Sequence, residues 1–189
     1  MTRTVIGGLL GGLALYLVGF IFWGTPLAGL AFSTVDEGRS AAVQTVLAQN
    51  LTENGTGTYL IPNPGTPAGT TLFGQGPIAT VHFNSGGFPV VDSAALISGL
   101  ALALVTGLLI AFALAIVGRK VTDFADRARV ALLFALAITL WIDIGQPLFN
   151  HYGAGYFIYL FLSDLIGLSA CGLVIARWFM PRAEPVSQP

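Results

Sequence analysis

Four stretches of this chain are too long and too apolar to be loops or the cores of small soluble helices. They are Val5–Trp23, Ser93–Val117, Val130–Phe149 and Tyr156–Met180. A bilayer core of about 30 Å is crossed by about 20 apolar residues in a helix. Hydrocarbon offers backbone N–H and C=O groups no partner, so a crossing segment satisfies them within itself. Composition supports this: 54% of the 189 residues are hydrophobic and only 9% charged, against roughly a quarter charged in soluble domains. A chain of this size exposes too much surface for a large core to explain so little charge. The expected fold is all-α and integral to the membrane: a single membrane domain, residues 1–189, built as a four-transmembrane-helix bundle. The first stretch also has the outline of a signal peptide, with Gly29-Leu30-Ala31 as a cleavage site. Its apolar run exceeds the usual h-region of about 7–15 residues, so an uncleaved span is expected and cleavage is the alternative.

The basic residues give the spans a direction. Arg3, Arg119, Lys120, Arg127, Arg129, Arg177 and Arg182 fall on one side of a four-span layout, and Arg39 alone falls on the other. The positive-inside rule then expects both termini and the 118–129 loop in the cytoplasm. Residues 24–92 and the tight 150–155 turn lie outside, and residues 181–189 form a disordered tail. Trp23, Trp141, Trp178, Tyr152 and Tyr156 stand toward span ends, as interfacial aromatics do.

Residues 24–92 read as a small extracytoplasmic α+β cap. Thr34 and Glu37 have capping-box spacing, and Val43, Val46, Leu47 and Leu51 follow at helical intervals, predicting one amphipathic helix. "ENGTGT" ends it. "TYLIP" and "IATVHF" have strand character, the second alternating Ala79, Val81 and Phe83 with Thr80, His82 and Asn84. "NPGTPAGTTLFGQGP" between them is rich in turn formers. The expectation is one helix plus a short β-hairpin.

Helices in lipid associate through close packing of small residues. Gly7, Gly8, Gly11 and Gly12 supply two overlapping pairs in the first span, and Ser163, Gly167 and Cys171 a row in the fourth. In the second, Ala95, Gly99, Ala103, Gly107, Ala111 and Ala115 recur every four residues. That row predicts a central packing helix, intolerant of bulk at Gly107 and more tolerant at Leu108. Whether the rows join helices of one chain or of two is open at this stage.

The third span contains "LWIDIGQPLF", an acid in an apolar run. An aspartate at a bilayer centre costs about 3 kcal/mol on insertion scales, and such residues mark functional sites by default. Thr139, Asp143, Gln146 and Asn150 are spaced i, i+4, i+7 and i+11, which is one helical face. Pro147 has no N–H for the carbonyl of Asp143, so a kink is expected there. Asp164 in the fourth span is the other buried acid. The two spans are joined by a short turn, so the acids come to similar depth. Two neighbouring carboxylates in low dielectric do not both ionise, and the pair is expected to hold a proton. The structural alternative is an acid hydrogen-bonded to Tyr16, Tyr159, Ser163 or Thr139. His151 follows the polar face and is read as an interfacial hydrogen-bonder or a proton relay.

The single cysteine excludes a disulfide framework, and two distant histidines give no metal site. The net charge of −1 gives no sign of a nucleic-acid partner. No GxSxG, HExxH, P-loop or GxGxxG pattern is present. No catalytic residue, metal or cofactor is therefore expected. With "GTYLIPNP", "GPIATVHF" and "GQPLFNHYGAGY" in this layout, the chain resembles a group of small bacterial inner-membrane proteins with one amino-terminal span, an extracytoplasmic segment and three further spans. The resemblance implies multi-pass insertion in the inner (plasma) membrane and implies no activity. The expected function is a non-catalytic membrane component, accessory to a membrane-protein partner or forming a homo-oligomer in the lipid bilayer. The alternative is a small transporter or channel subunit using the buried carboxylates for proton, cation or polar-solute passage. A third class is an enzyme at the outer face, with His151 and Asp143 as acid and base.

Overall fold

The computed structural model describes residues 1–180; Arg182 and the expected tail lie outside the described residues. In chain order the elements are α1 (Thr2–Trp23), a 3-10 turn (Pro26–Ala31), α2 (Glu37–Leu51), β1 (Gly57–Ile61), α3 (Pro67–Gln75) and β2 (Ala79–Phe83). Then come α4 (Ser93–Val117), α5 (Phe124–Thr139), a π-helical turn (Leu140–Ile144), α6 (Gly145–Asn150) and α7 (Ala154–Trp178). The described residues divide into two compact units, one formed by Met1–Ser33 with residues 93–180, the other by Thr34–Asp92.

The first unit is a helical bundle. Four helices are long and apolar enough to cross a membrane: Thr2–Trp23, Ser93–Val117, Phe124–Asn150 and Ala154–Trp178. The third begins six residues before the expected Val130. Asp123 accepts hydrogen bonds from the N–H groups of Ala125 (2.8 Å) and Asp126 (3.4 Å), and this cap starts α5 inside what was expected to be loop.

Adjacent glycines let α1 serve two neighbours at once. A side chain at Gly8 would meet Leu108 of α4 at 2.8 Å, and one at Gly12 the Ala103 carbonyl at 2.5 Å. On the other face, Gly7 abuts Phe179, and Gly11 abuts Ile175 (2.8 Å) and Cys171 (3.0 Å). Gly107 returns the contact on α4, where an added carbon would strike Gly8 and Gly12. Gly167 of α7 receives Leu15. These rows join helices of one chain. The core gathers Ala111, Leu114, Cys171, Ile175 and Met180.

Two expectations change. The second span is a flanking helix: α4 packs mainly on α1, while α7 touches α1, α5 and the π turn. The reason is that both small-residue faces of α1 are occupied, which puts α1 and α7 at the centre. Leu108 does not face elsewhere but lies on Gly8. Gly99 is in ordinary contact only, 3.9 Å from the Tyr16 ring. The Tyr16 hydroxyl donates to the Leu96 carbonyl (3.2 Å), and this bulky bridge keeps α1 and α4 apart over the Gly99 half of the row.

The second unit carries the expected hairpin. Strands β1 and β2 pair antiparallel from Gly57↔Phe83 to Ile61↔Ala79. Helix α2 is capped by Asp36, which accepts from the Arg39 N–H at 2.9 Å; the Thr34–Glu37 box is not the cap. The turn-rich stretch holds a second helix, α3. Thr66 caps it by accepting from the Gly69 N–H (3.0 Å), Pro67 fits its first turn, and Gly76 ends it at φ 68°. The unit therefore has two helices. The apolar stripe on α2 is only partly used: Leu51 is buried, while Val43 and Val46 are exposed.

Candidate functional site

Asp143 lies inside the π turn, in the last third of the third apolar helix, Phe124–Asn150. Several local features favour that turn. Pro147 cannot donate to a carbonyl one turn back. The Thr139 hydroxyl donates to the carbonyls of Ala135 (2.9 Å) and Leu136 (3.3 Å), a back-bond that bends helices. A π turn holds one residue more than the α-helix it interrupts, and such turns recur at functional sites.

The extra residue breaks the expected polar face. Thr139 and Asp143 are buried, each 2% exposed, but Gln146 and Asn150 are exposed. One inserted residue turns everything beyond it by roughly 100°, which carries those two amides away from the acid. They bond to each other instead: Asn150 Nδ2 donates to Gln146 O (3.1 Å) and Oε1 (3.2 Å). His151 ends α6 in the left-handed region at φ 55° and is exposed. It stands eight residues beyond Asp143, roughly 12 Å of helix axis.

Helix α7 brings the second acid. Gly172 packs on Ala131 of α5, with only 2.8 Å for an added carbon. The helices are antiparallel, so this contact places position 160 roughly opposite Asp143. Asp164 then lies about one turn away, ~6 Å along the axis. It shares the Leu168 and Gly172 face of α7, which is the face turned to α5. Helix α7 packs against the π turn that carries Asp143, which brings the two acid-bearing segments side by side. Asp164 is half-buried.

Of the four hydroxyls expected to tie down these acids, three donate elsewhere and the fourth, on Ser163, serves as an acceptor. Tyr16 bonds to Leu96 O, Tyr159 donates to Phe22 O at 2.6 Å, and Thr139 uses its own helix. Ser163 accepts from Trp23 Nε1 at 2.9 Å, part of an aromatic cluster of Trp23, Phe32, Tyr156 and Tyr159. Asp143 Oδ2 is buried and has no hydrogen-bond partner among the described residues. No group of three or more metal-ligating side chains gathers among the described residues.

At the opposite end of this unit, Arg127 is a feature that sequence reasoning placed in a loop. It is buried, 2% exposed. Its Nε donates to Val121 O (2.6 Å) and an NH2 group to Gly118 O (3.4 Å). Its one sequence signal was the Asp123 cap, which draws residues 124–129 into the helix. Arg3, bonded to Trp178 O at 2.9 Å, and Arg177, stacked over Phe124 at 5.6 Å, belong to the same basic end.

Compared with protein-family models, curated proteins and solved structures, the chain matches none. Any reading of the site therefore rests on its own geometry.

Proposed function

We propose that this chain is a multi-pass protein of the inner membrane, with both termini cytoplasmic, in which Asp143 and Asp164 form a station for proton or cation passage. One observation carries the reading: a buried carboxyl oxygen, Asp143 Oδ2, with no hydrogen-bond partner among the described residues, set in a distorted turn of an apolar helix. An unsatisfied buried polar group costs about 1–3 kcal/mol, and a leucine would avoid that cost. Structural acids are bonded; this one is available. A proton or small cation taken up at Asp143 has Asp164 one helical turn along as the next acceptor. Repulsion between the two carboxylates favours a single shared positive charge.

The topology follows from the basic end, where the described Arg3, Arg119, Lys120, Arg127, Arg129 and Arg177 gather, while Arg39 lies in the other unit. Retention of α1 is supported by its glycines, which fill both neighbouring helix faces.

The test is flux in liposomes reconstituted with the full chain. A pH jump should drive proton or monovalent-cation movement that Asp143→Asn and Asp164→Asn each abolish while the purified variants stay folded. Flux equal in wild type and both variants, or none above empty liposomes, would sink the reading. A second reading, an accessory or oligomeric component, is favoured by one feature: the Gly19 and Gly99 half of the α1–α4 contact is an open apolar crevice of about 420 Å³. Crosslinking from Gly99→Cys to another chain would support it.

A further inference from the structure

We propose that the crevice between α4 and α5 is a binding site for an anionic phospholipid, with one acyl chain between the helices and the phosphate at the basic end. The crevice holds about 350 Å³, within the range of small-molecule sites. Its lining includes Ala113, Val117, Val130, Ala131, Ala135 and Leu168, and every other lining residue is apolar or glycine. It exists because α4 and α5, though consecutive, scarcely touch, and because Ala113, Ala131, Ala135 and Gly172 are small. An apolar void gives water no hydrogen-bond partners and stays dry, whereas a hydrocarbon chain fills it without losing any polar contact.

The basic end selects the headgroup. Val117 lines the crevice and Gly118 follows it; the Gly118 carbonyl is where the Arg127 guanidinium docks. Val130, one turn beyond Arg127, lines the opposite wall. Arg127 is buried and bonds only to carbonyls, with no carboxylate partner among the described residues. A buried cation of this kind lacks a counter-charge. Arg119 and Lys120, at the same end of α4, are exposed, and their side chains carry no ion pair among the described residues. Two exposed cations, Arg119 and Lys120, beside the buried positive charge of Arg127 at the end of an apolar slot match a phosphodiester attached to an acyl chain, as basic pockets between membrane helices do. A second copy of the chain fits less well, because its carboxylates at this end are already engaged, Asp123 as the cap of α5 and Asp126 with Arg129.

The full chain, purified in detergent, is titrated with phosphatidylglycerol or with phosphatidylcholine of identical acyl chains, and bound lipid is counted by native mass spectrometry. Phosphatidylglycerol should bind with discrete stoichiometry and be preferred. Arg119→Gln and Lys120→Gln should each weaken it about fivefold and leave phosphatidylcholine unchanged. Ala113→Phe, at an exposed lining position that a large side chain can fill without disturbing the core, should reduce retention of both lipids. Equal retention of the two lipids, or retention indifferent to Ala113→Phe, would overturn the proposal. So would efficient disulfide crosslinking between copies through Ala113→Cys, which would assign the crevice to a second chain.

Discussion

Replacing Asp143 with leucine is expected to stabilise the bundle by about 1–3 kcal/mol, the cost of an unsatisfied buried polar group. Had the carboxyl been hydrogen-bonded to Tyr16, Tyr159, Ser163 or Thr139, the structural alternative read from the sequence, leucine would strand those partners and destabilise instead. No such partner is found for Oδ2 among the described residues. Asp143→Asn should fall between the two, since an amide is neutral but still unsatisfied. Thermal unfolding in detergent measures this; a loss of stability in Asp143→Leu would mean that the carboxyl is bonded after all. Arg127 is the opposite case, a buried group with its bonds made. Arg127→Met keeps an apolar stem but leaves the Gly118 and Val121 carbonyls without their charged donor, at roughly 1.5–3 kcal/mol for each bond lost. Hydrogen exchange should quicken across 118–123 in that variant, and unchanged exchange there would show that the guanidinium does not hold the link. Residue identity was legible for both sites. Partnership was not, because it depends on which neighbour each side chain reaches.

At the scale of elements, the small-residue spacing was legible and its partners were not. A four-residue row announces a close contact, but Gly7 with Gly11 and Gly8 with Gly12 lie on adjacent faces of α1 and meet different helices. That choice is set by tertiary packing, which spacing does not encode. Gly107→Leu is expected to disrupt the α1–α4 contact severely, because its side chain would occupy the backbone of Gly8 and Gly12. Leu108 is no control for this, since it lies on Gly8; Val105→Phe is, because Val105 is exposed. Equal losses of stability from the two would show that the row is not the interface. The π turn was half legible. Pro147 signalled a break, but not that an inserted residue would separate Asp143 from Gln146 and Asn150. Pro147→Ala restores an N–H and should let α-helical bonding run through the turn, gaining up to ~3 kcal/mol. If Asp143 then leaves its place beside α7, proton flux should fall while stability rises, and new exchange protection at position 147 would report the repaired bond.

For the whole molecule, apolar length and charge placement carried most of what could be read. The four long helices follow from hydrophobic runs alone. Asp123 and Asp36 then shifted helix starts by a few residues, and Thr66 with Pro67 built α3 where composition indicated only turns. The direction of insertion rests on charge. Six described basic residues lie in the bundle unit near its Met1 end, and Arg39 lies in the other unit, paired with Asp36 at 3.1 Å. Arg129 is paired in the same way with Asp126 at 2.8 Å, and neither exposed pair changes the count, because the rule weighs Lys and Arg and not net charge. Cysteine scanning tests this directly. Thr66 is a poor probe position, because its hydroxyl caps α3; Glu53 is exposed and has no such duty. Thr122, also exposed, lies between α4 and α5. The native Cys171 is buried, so it should stay silent in intact cells. An impermeant thiol reagent added outside should label Glu53→Cys and spare Thr122→Cys until the membrane is opened. The opposite pattern would invert the protein, and labelling of both from outside would break the four-span topology. Inversion would also put the lipid-binding end in the outer leaflet, so the preference for phosphatidylglycerol would have to be met there.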